Sequence, residues 1–119
     1  MADRGSTLLV VEDDTLLASY LALALIDHGF RVLGPASSVT DAMHILDEAM
    51  PDAAVLDFQL ADSTSEPVLA ALEDRAVPVC VMSGNLREDL PHSFASHPVL
   101  HKPFGADELI ERLGHLLAN

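Results

Sequence analysis

With 119 residues, half of them apolar, the chain has enough material for one packed domain spanning 1–119 and too little for two. Nineteen acidic against six basic side chains give a formal charge of −13, which argues against nucleic acid or an anionic membrane as partner and favours divalent cations and basic protein surfaces. The opening "MADRGS" lacks the character of a secretory signal, the apolar stretch 16–26 is too short to span a bilayer, and the lone Cys80 sits in an apolar run. Together these predict a cytoplasmic protein with a buried, reduced thiol.

Residues 7–11 read as a short apolar strand that ends in Glu12, Asp13 and Asp14. A helix follows over about 15–28 and stops at Gly29, a natural residue for the position after a helix. Its expected buried stripe is Leu17, Tyr20, Leu21, Ala24 and Leu25, with Leu16, Ala22, Leu23 and Ile26 outside it. A second strand at 31–33 leads to a helix that opens at Ser37 or Ser38 and runs to about 49. Its Val39, Ala42, Met43 and Leu46 share one face.

Residues 53–56 form a third apolar strand that runs directly into Asp57. The next helix opens at Ser65, has Pro67 in its first turn where proline is tolerated, and carries Val68, Leu69 and Leu72. The fourth strand, 78–82, is closed by Ser83 and Gly84. From 85 to 98, "NLREDLPHSFASHP" has a central proline and little periodicity, which predicts only a shortened or frayed fourth helix. A fifth strand at 99–101 precedes Lys102, Pro103 and Phe104. The last helix starts near Gly105 with Asp107 and Glu108 at its positive end, and buries Leu109, Ile110, Leu113 and Leu117.

Strict alternation of strand and helix predicts an α/β, doubly wound parallel sheet with helices on both faces and right-handed crossovers. Functional groups in such folds collect beyond the carboxyl ends of the central strands. Glu12, Asp13, Asp57, Ser83 and Lys102 all arrive there. Each has an ordinary explanation by itself: acids cap helices, serines turn chains and lysines are solvated. Asp14 keeps the capping role. A buried carboxylate at the end of a core strand costs several kcal/mol unless it is paired, so the joint arrival of acids and an ammonium favours a site. The six histidines show no paired ligand spacing and are read as structural or exposed.

These residues resemble the receiver domain of two-component response regulators over essentially the whole chain. The likeness rests on Glu12-Asp13, on Asp57, on Ser83-Gly84 and on Lys102-Pro103-Phe104, each closing its strand. It implies the flavodoxin-like strand order 2-1-3-4-5. It also implies that Asp57 is the phosphoacceptor, a carboxylate ionised at neutral pH that needs no general base. Mg2+ would be held by Asp13 and Asp57 directly, by Glu12 through water and by the backbone carbonyl of Gln59. Lys102 would supply a point charge and Ser83 a hydroxyl to the phosphoryl group, with Gly84 leaving room for it. The implied partners are a sensor histidine kinase or histidine phosphotransfer protein, docking on the first helix, and a downstream protein. A homodimer is the alternative use of that helix. The protein would be a phosphoacceptor rather than a turnover enzyme.

Two departures from the family stand out. Val99 occupies the position, three before the lysine, where many receivers carry a switching aromatic, and the stretch from Ser83 to Lys102 is short and interrupted by Pro91. Both features resemble the stand-alone FAT GUY group, whose fourth strand reads Phe-Ala-Thr-Gly. The match is partial, since this chain has Val81-Met82-Ser83-Gly84, while "PVLHKPF" fits that group better. Signalling by rearrangement of 84–98 is therefore expected. Because the fifth helix ends the sequence, a single-domain regulator is expected too, with output by protein contact or onward phosphotransfer. The competing readings are a receiver cut from a larger regulator and a phosphorylation-independent binding module. A third is a haloacid dehalogenase type of phosphohydrolase, which wants a second aspartate where Gln59 stands.

Overall fold

The computed structural model describes residues 5–61 and 63–118; residues 1–4, which begin the "MADRGS" stretch, lie outside the described residues. Strands β1 (Thr7–Val11), β2 (Arg31–Ala36), β3 (Ala53–Asp57), β4 (Val79–Ser83) and β5 (Val99–His101) form one parallel sheet in the order β2-β1-β3-β4-β5. Helices α1 (Thr15–His28), α2 (Val39–Glu48), α3 (Glu66–Asp74), α4 (His92–Ala95) and α5 (Ala106–Ala118) alternate with them.

The strands are apolar throughout because both faces of the sheet are covered. Alternate residues still separate by face. Leu9, Val11, Ala54, Leu56, Val79 and Val81 join the layer that holds Leu46 of α2, Leu72 of α3 and Phe94 of α4. Leu8, Val10, Ala53, Val55, Cys80 and Met82 join the opposite layer with Leu21 and Leu25 of α1 and Leu109 and Leu113 of α5. Cys80 is free and buried, and burial pushes its thiol up to about 11.

Strand β2 runs three residues beyond its expected end. The β1–β2 register shifts between Leu9 and Val11, so that Ala36 pairs with Val11. Gly34 has φ +90°, and a Cβ there would meet Ala36 N at 2.5 Å and Val10 O at 3.0 Å. Only glycine makes this detour without strain. Its result reaches the site, since the Ala36 carbonyl then accepts the Glu12 N–H at 2.9 Å.

Helix α1 has its expected bounds, and Asp14 caps it by accepting from the N–H groups of Leu16 and Leu17 at 3.0 and 3.1 Å. The buried stripe is rotated from the expected one. It consists of Ala18, Leu21, Ala22 and Leu25, so Ala22 lies inside and Tyr20, expected inside, is 51% exposed. Ala18 and Ala22 are small enough to let the helix lie close against the sheet, while Tyr20 keeps its hydroxyl at the surface. There it accepts the N–H of Ala106 at 3.4 Å, at the start of α5. Leu16, Leu23 and Ile26 are exposed as expected. Among the described residues no helix is long and apolar enough to cross a membrane.

The weak pattern of 85–98 folds as a 3-10 turn (Arg87–Asp89) and the single helical turn of α4. Phe94 anchors this segment. It is fully buried and meets the ring of Phe58 edge-on, with centroids 4.8 Å apart. Arg87 Nη1 donates to the carbonyls of Ala95 and His97, and His97 Nε2 lies 2.7 Å from Glu73 Oε2 of α3.

Candidate functional site

The carboxyl ends of four strands bring the expected side chains to one rim. β1 leads into Glu12 and Asp13, and Asp57 is the last residue of β3. The next residue, Phe58, extends the ladder by donating its N–H to the Met82 carbonyl at 2.9 Å. Lys102 follows β5 and is tied to β4 through its own N–H, which donates to the Ser83 carbonyl at 2.8 Å.

Lys102 Nζ donates to Glu12 Oε1 at 2.8 Å and to Asp57 Oδ2 at 3.0 Å. Glu12 and Asp57 are both buried, so one ammonium offsets much of the desolvation of two carboxylates. Glu12 uses its other oxygen to accept the Asp14 N–H at 3.0 Å. Asp13 stays partly exposed, and one oxygen from each of Glu12, Asp13 and Asp57 lies within 4.8 Å of the others. Three carboxylates facing one ammonium leave surplus negative charge. A donor set made only of hard oxygens fits Mg2+ or Ca2+ and not a metal that seeks thiolate or imidazole.

Burial pushes the Asp57 carboxyl from 3.8 up to about 6; the Lys102 hydrogen bond works against this and the charge of Glu12 adds to it. Asp57 is thus an ionised oxygen nucleophile above about pH 6 and a neutral acid well below it. For Lys102, burial works downward, but hydrogen bonds to Glu12 and Asp57 outweigh it and raise the pKa, which keeps the ammonium charged.

The remaining expected residues differ in their engagement. Ser83 is buried on the rim, yet its hydroxyl accepts the Asn85 N–H at 2.8 Å and donates to the Asn85 carbonyl at 3.2 Å. A Cβ on Gly84 would meet nothing within 4 Å, so there is open space beside it. The Gln59 N–H donates to Asp57 Oδ1 at 3.4 Å, while its side-chain amide braces the following loop through the carbonyls of Leu60 and Ser63. Asp14 caps α1 as expected, and no histidine joins the acidic group among the described residues. A cavity of about 190 Å³ opens beside Glu12 and Asp13, walled by Ser19, Pro35 and Ser37.

One residue at this site was legible in the sequence only as the start of α3. Ser65 is fully buried and makes no side-chain cap. Its hydroxyl donates to the carbonyl of Asp57 at 2.5 Å and approaches that of Phe58 at 3.2 Å. A capping serine contributes about 1 kcal/mol to its helix, and α3 does without it. Nothing in the run "DSTS" sets this serine apart from Ser63.

Comparison with known proteins agrees with this geometry. The family model of the response regulator receiver domain matches residues 8–114. The virulence transcriptional regulatory protein PhoP of Salmonella typhimurium is 29% identical over 114 residues. That alignment covers 92% of this chain and 50% of PhoP, so the chain spans about half the length of the curated relatives it matches. Among solved structures, SdrG from Sphingomonas melonis Fr1 is 31% identical with a TM-score of 0.82, covering 98% of each chain. The response regulator receiver protein from Sinorhizobium medicae is 27% identical with a TM-score of 0.79, covering 96% of this chain and 95% of that one. Sharing the family's pattern from the first strand to the last helix, this chain belongs to the response regulator receiver domains of two-component systems.

Proposed function

We propose that Asp57 accepts a phosphoryl group from a phosphohistidine on a sensor histidine kinase or histidine phosphotransfer protein, with Mg2+ bound at the acidic rim. The chain then signals by contact with a downstream protein or by onward transfer. The observation that carries this reading is a nucleophilic carboxylate at the end of a central strand, 3.0 Å from a lysine ammonium and grouped with two further acids.

Asp13 and Asp57 would ligate Mg2+ directly, Glu12 through water, and Gln59 through its backbone carbonyl. The ion when bound would offset charge on the phosphoryl oxygens. Asp57 attacks phosphorus with a carboxylate oxygen: the O–P bond forms as the N–P bond breaks, and that electron pair returns to the imidazole nitrogen. Lys102, already bonded to Asp57, shifts its charge to the new phosphoryl group. The Ser83 hydroxyl donates to a phosphoryl oxygen after giving up its bond to the Asn85 carbonyl. The protein itself is the acceptor and turns over no external substrate.

The exposed apolar residues of α1 start at Leu16, 84% exposed and two residues past the Asp14 cap at the acidic rim, and continue to Leu23, 68% exposed and about two turns further along; this face supports docking of the phosphodonor. A homodimer through the same face is the alternative. A two-component receiver meets its kinase in the cytoplasm, and the free Cys80 fits that reducing compartment. The solved chains of SdrG and the Sinorhizobium protein, matched over 98% and 95%, are of receiver length, which accords with a stand-alone regulator. PhoP, matched over 50% of its length, favours a second reading as the receiver of a longer transcriptional regulator, and the size of the native product separates the two.

The central test is intact mass after incubation with acetyl phosphate and Mg2+. The wild type gains one phosphoryl group and Asp57→Asn gains none. Full labelling of Asp57→Asn refutes the assignment.

A further inference from the structure

The turn that leaves β3 at Asp57 carries Gln59, and its hydrogen bonds converge on Ser65. The peptide joining Asp57 to Phe58 is pinned at both ends. Its N–H donates to Met82 of β4 at 2.9 Å, and its carbonyl accepts the Ser65 hydroxyl at 2.5 Å. The next carbonyl, that of Phe58, accepts the Ser65 N–H at 2.9 Å. One peptide further on, the Leu60 N–H donates to the Ser63 carbonyl at 2.8 Å, which orients the planar Gln59–Leu60 unit and with it the Gln59 carbonyl. Gln59 and Thr64 form an antiparallel bridge that closes the loop.

Three features distinguish Ser65 from an ordinary helix-start serine. It is fully buried, its side chain leaves the N–H groups of α3 uncapped, and its hydroxyl turns back to the main chain of Asp57 itself. A side chain that gives up its local stabilising role beside a reactive group is the kind of local inconsistency expected at a functional site.

We infer that Ser65 is a positioning residue for the acidic rim: its hydroxyl fixes the main chain of Asp57 and so the direction of the Asp57 carboxylate toward Lys102, Glu12 and Asp13. This rests on the reading of Asp57 as phosphoacceptor. Without the hydroxyl the Asp57 carbonyl loses its partner on the loop side, and the peptide, held only by its N–H bond to Met82, can tilt and carry the carboxylate with it. Misplacement of a reacting group by about 1 Å costs up to about 100-fold in rate.

The test compares wild type, Ser65→Ala and Ser38→Ala in the whole chain. Ser38 caps α2 through its hydroxyl, which accepts the Asp41 N–H at 3.1 Å, and serves as the control for lost stability. Each protein is melted, titrated with Mg2+ by amide chemical shifts, and labelled with acetyl phosphate at saturating Mg2+. Ser65→Ala is expected to label about tenfold more slowly and to bind Mg2+ several-fold more weakly, within the range that misplacement allows. Ser38→Ala is expected to melt earlier with both properties unchanged. A Ser65→Ala protein that only melts earlier, with wild-type labelling and Mg2+ affinity, overturns the inference. If alanine prevents folding, Ser65→Cys fills the same space with a poorer donor; slow labelling there supports the role and wild-type labelling overturns it. A wild type that takes up no phosphoryl group refutes the phosphoacceptor reading itself, a result distinct from equal labelling of wild type and variant.

Discussion

Replacing Asp57 with asparagine should stabilise the metal-free protein. Burial raises the Asp57 carboxyl from 3.8 to about 6, so the folded state holds this proton more tightly than the unfolded chain does. A group raised in this way favours folding when protonated. Its penalty is fully present above about pH 6, shrinks as the pH falls through the folded value, and is gone below the unfolded one near 4. A shift of roughly two units at about 1.4 kcal/mol each gives an upper bound of about 3 kcal/mol at pH 7.5. Asparagine removes the charge at constant shape and keeps an oxygen for Lys102, but its amide N–H groups need acceptors, which reduces the gain by about 1 kcal/mol. The expected net effect is about 1 to 2 kcal/mol, or a rise of several degrees in melting temperature for a domain of this size. Urea unfolding of both proteins in EDTA, from pH 4 to pH 7.5, measures it. The difference should be largest at pH 7.5 and fall steadily with pH, until near pH 4 only the amide cost remains and asparagine is the less stable by up to about 1 kcal/mol. Equal midpoints at pH 7.5, or a gap that does not change with pH, would refute the idea that Asp57 is held ionised at a cost.

Three further outcomes follow from the same geometry. Millimolar Mg2+ should raise the melting temperature of the wild type by binding only the folded acidic rim, and the rise should shrink in Asp13→Asn. No Mg2+ effect at all would favour a phosphorylation-independent module. Phosphorylation should change amide exchange chiefly in residues 84–98, because Val99 offers no aromatic rotamer and the segment leans on Phe58, next to Asp57, through Phe94. Change confined to other regions would sink that route. Leu16→Glu combined with Leu23→Lys should leave folding and acetyl phosphate labelling intact, since both side chains are exposed, while slowing transfer from the cognate kinase. Unchanged transfer and an unchanged oligomeric state would reject α1 as the docking face.

The sequence by itself determined the alternation of elements, the ends of most of them, and which side chains stand at strand ends. Those features are local. Val- and Leu-rich runs, Gly29 after α1, Asp14 before it and Pro91 in the weak segment act within a few residues of themselves. The acidic rim was legible for the same reason, because a carboxylate closing a core strand is anomalous wherever it occurs. Strand order came from family resemblance, since periodicity says nothing about which strands are neighbours.

What only the tertiary structure decided depends on distance in space. The rotation of α1 that buries Ala22 and exposes Tyr20 is set by how closely the helix lies on the sheet and by the start of α5, 86 residues along the chain from Tyr20. The sharing of Lys102 between Glu12 and Asp57 joins residues 90 and 45 positions apart. The raised Asp57 carboxyl follows from that packing, since desolvation is a property of surroundings and not of the residue. Ser65 shows the limit most clearly. A serine ahead of a helix reads as a cap, and only the folded turn, by bringing the Asp57 carbonyl within 2.5 Å, offers its hydroxyl a different partner.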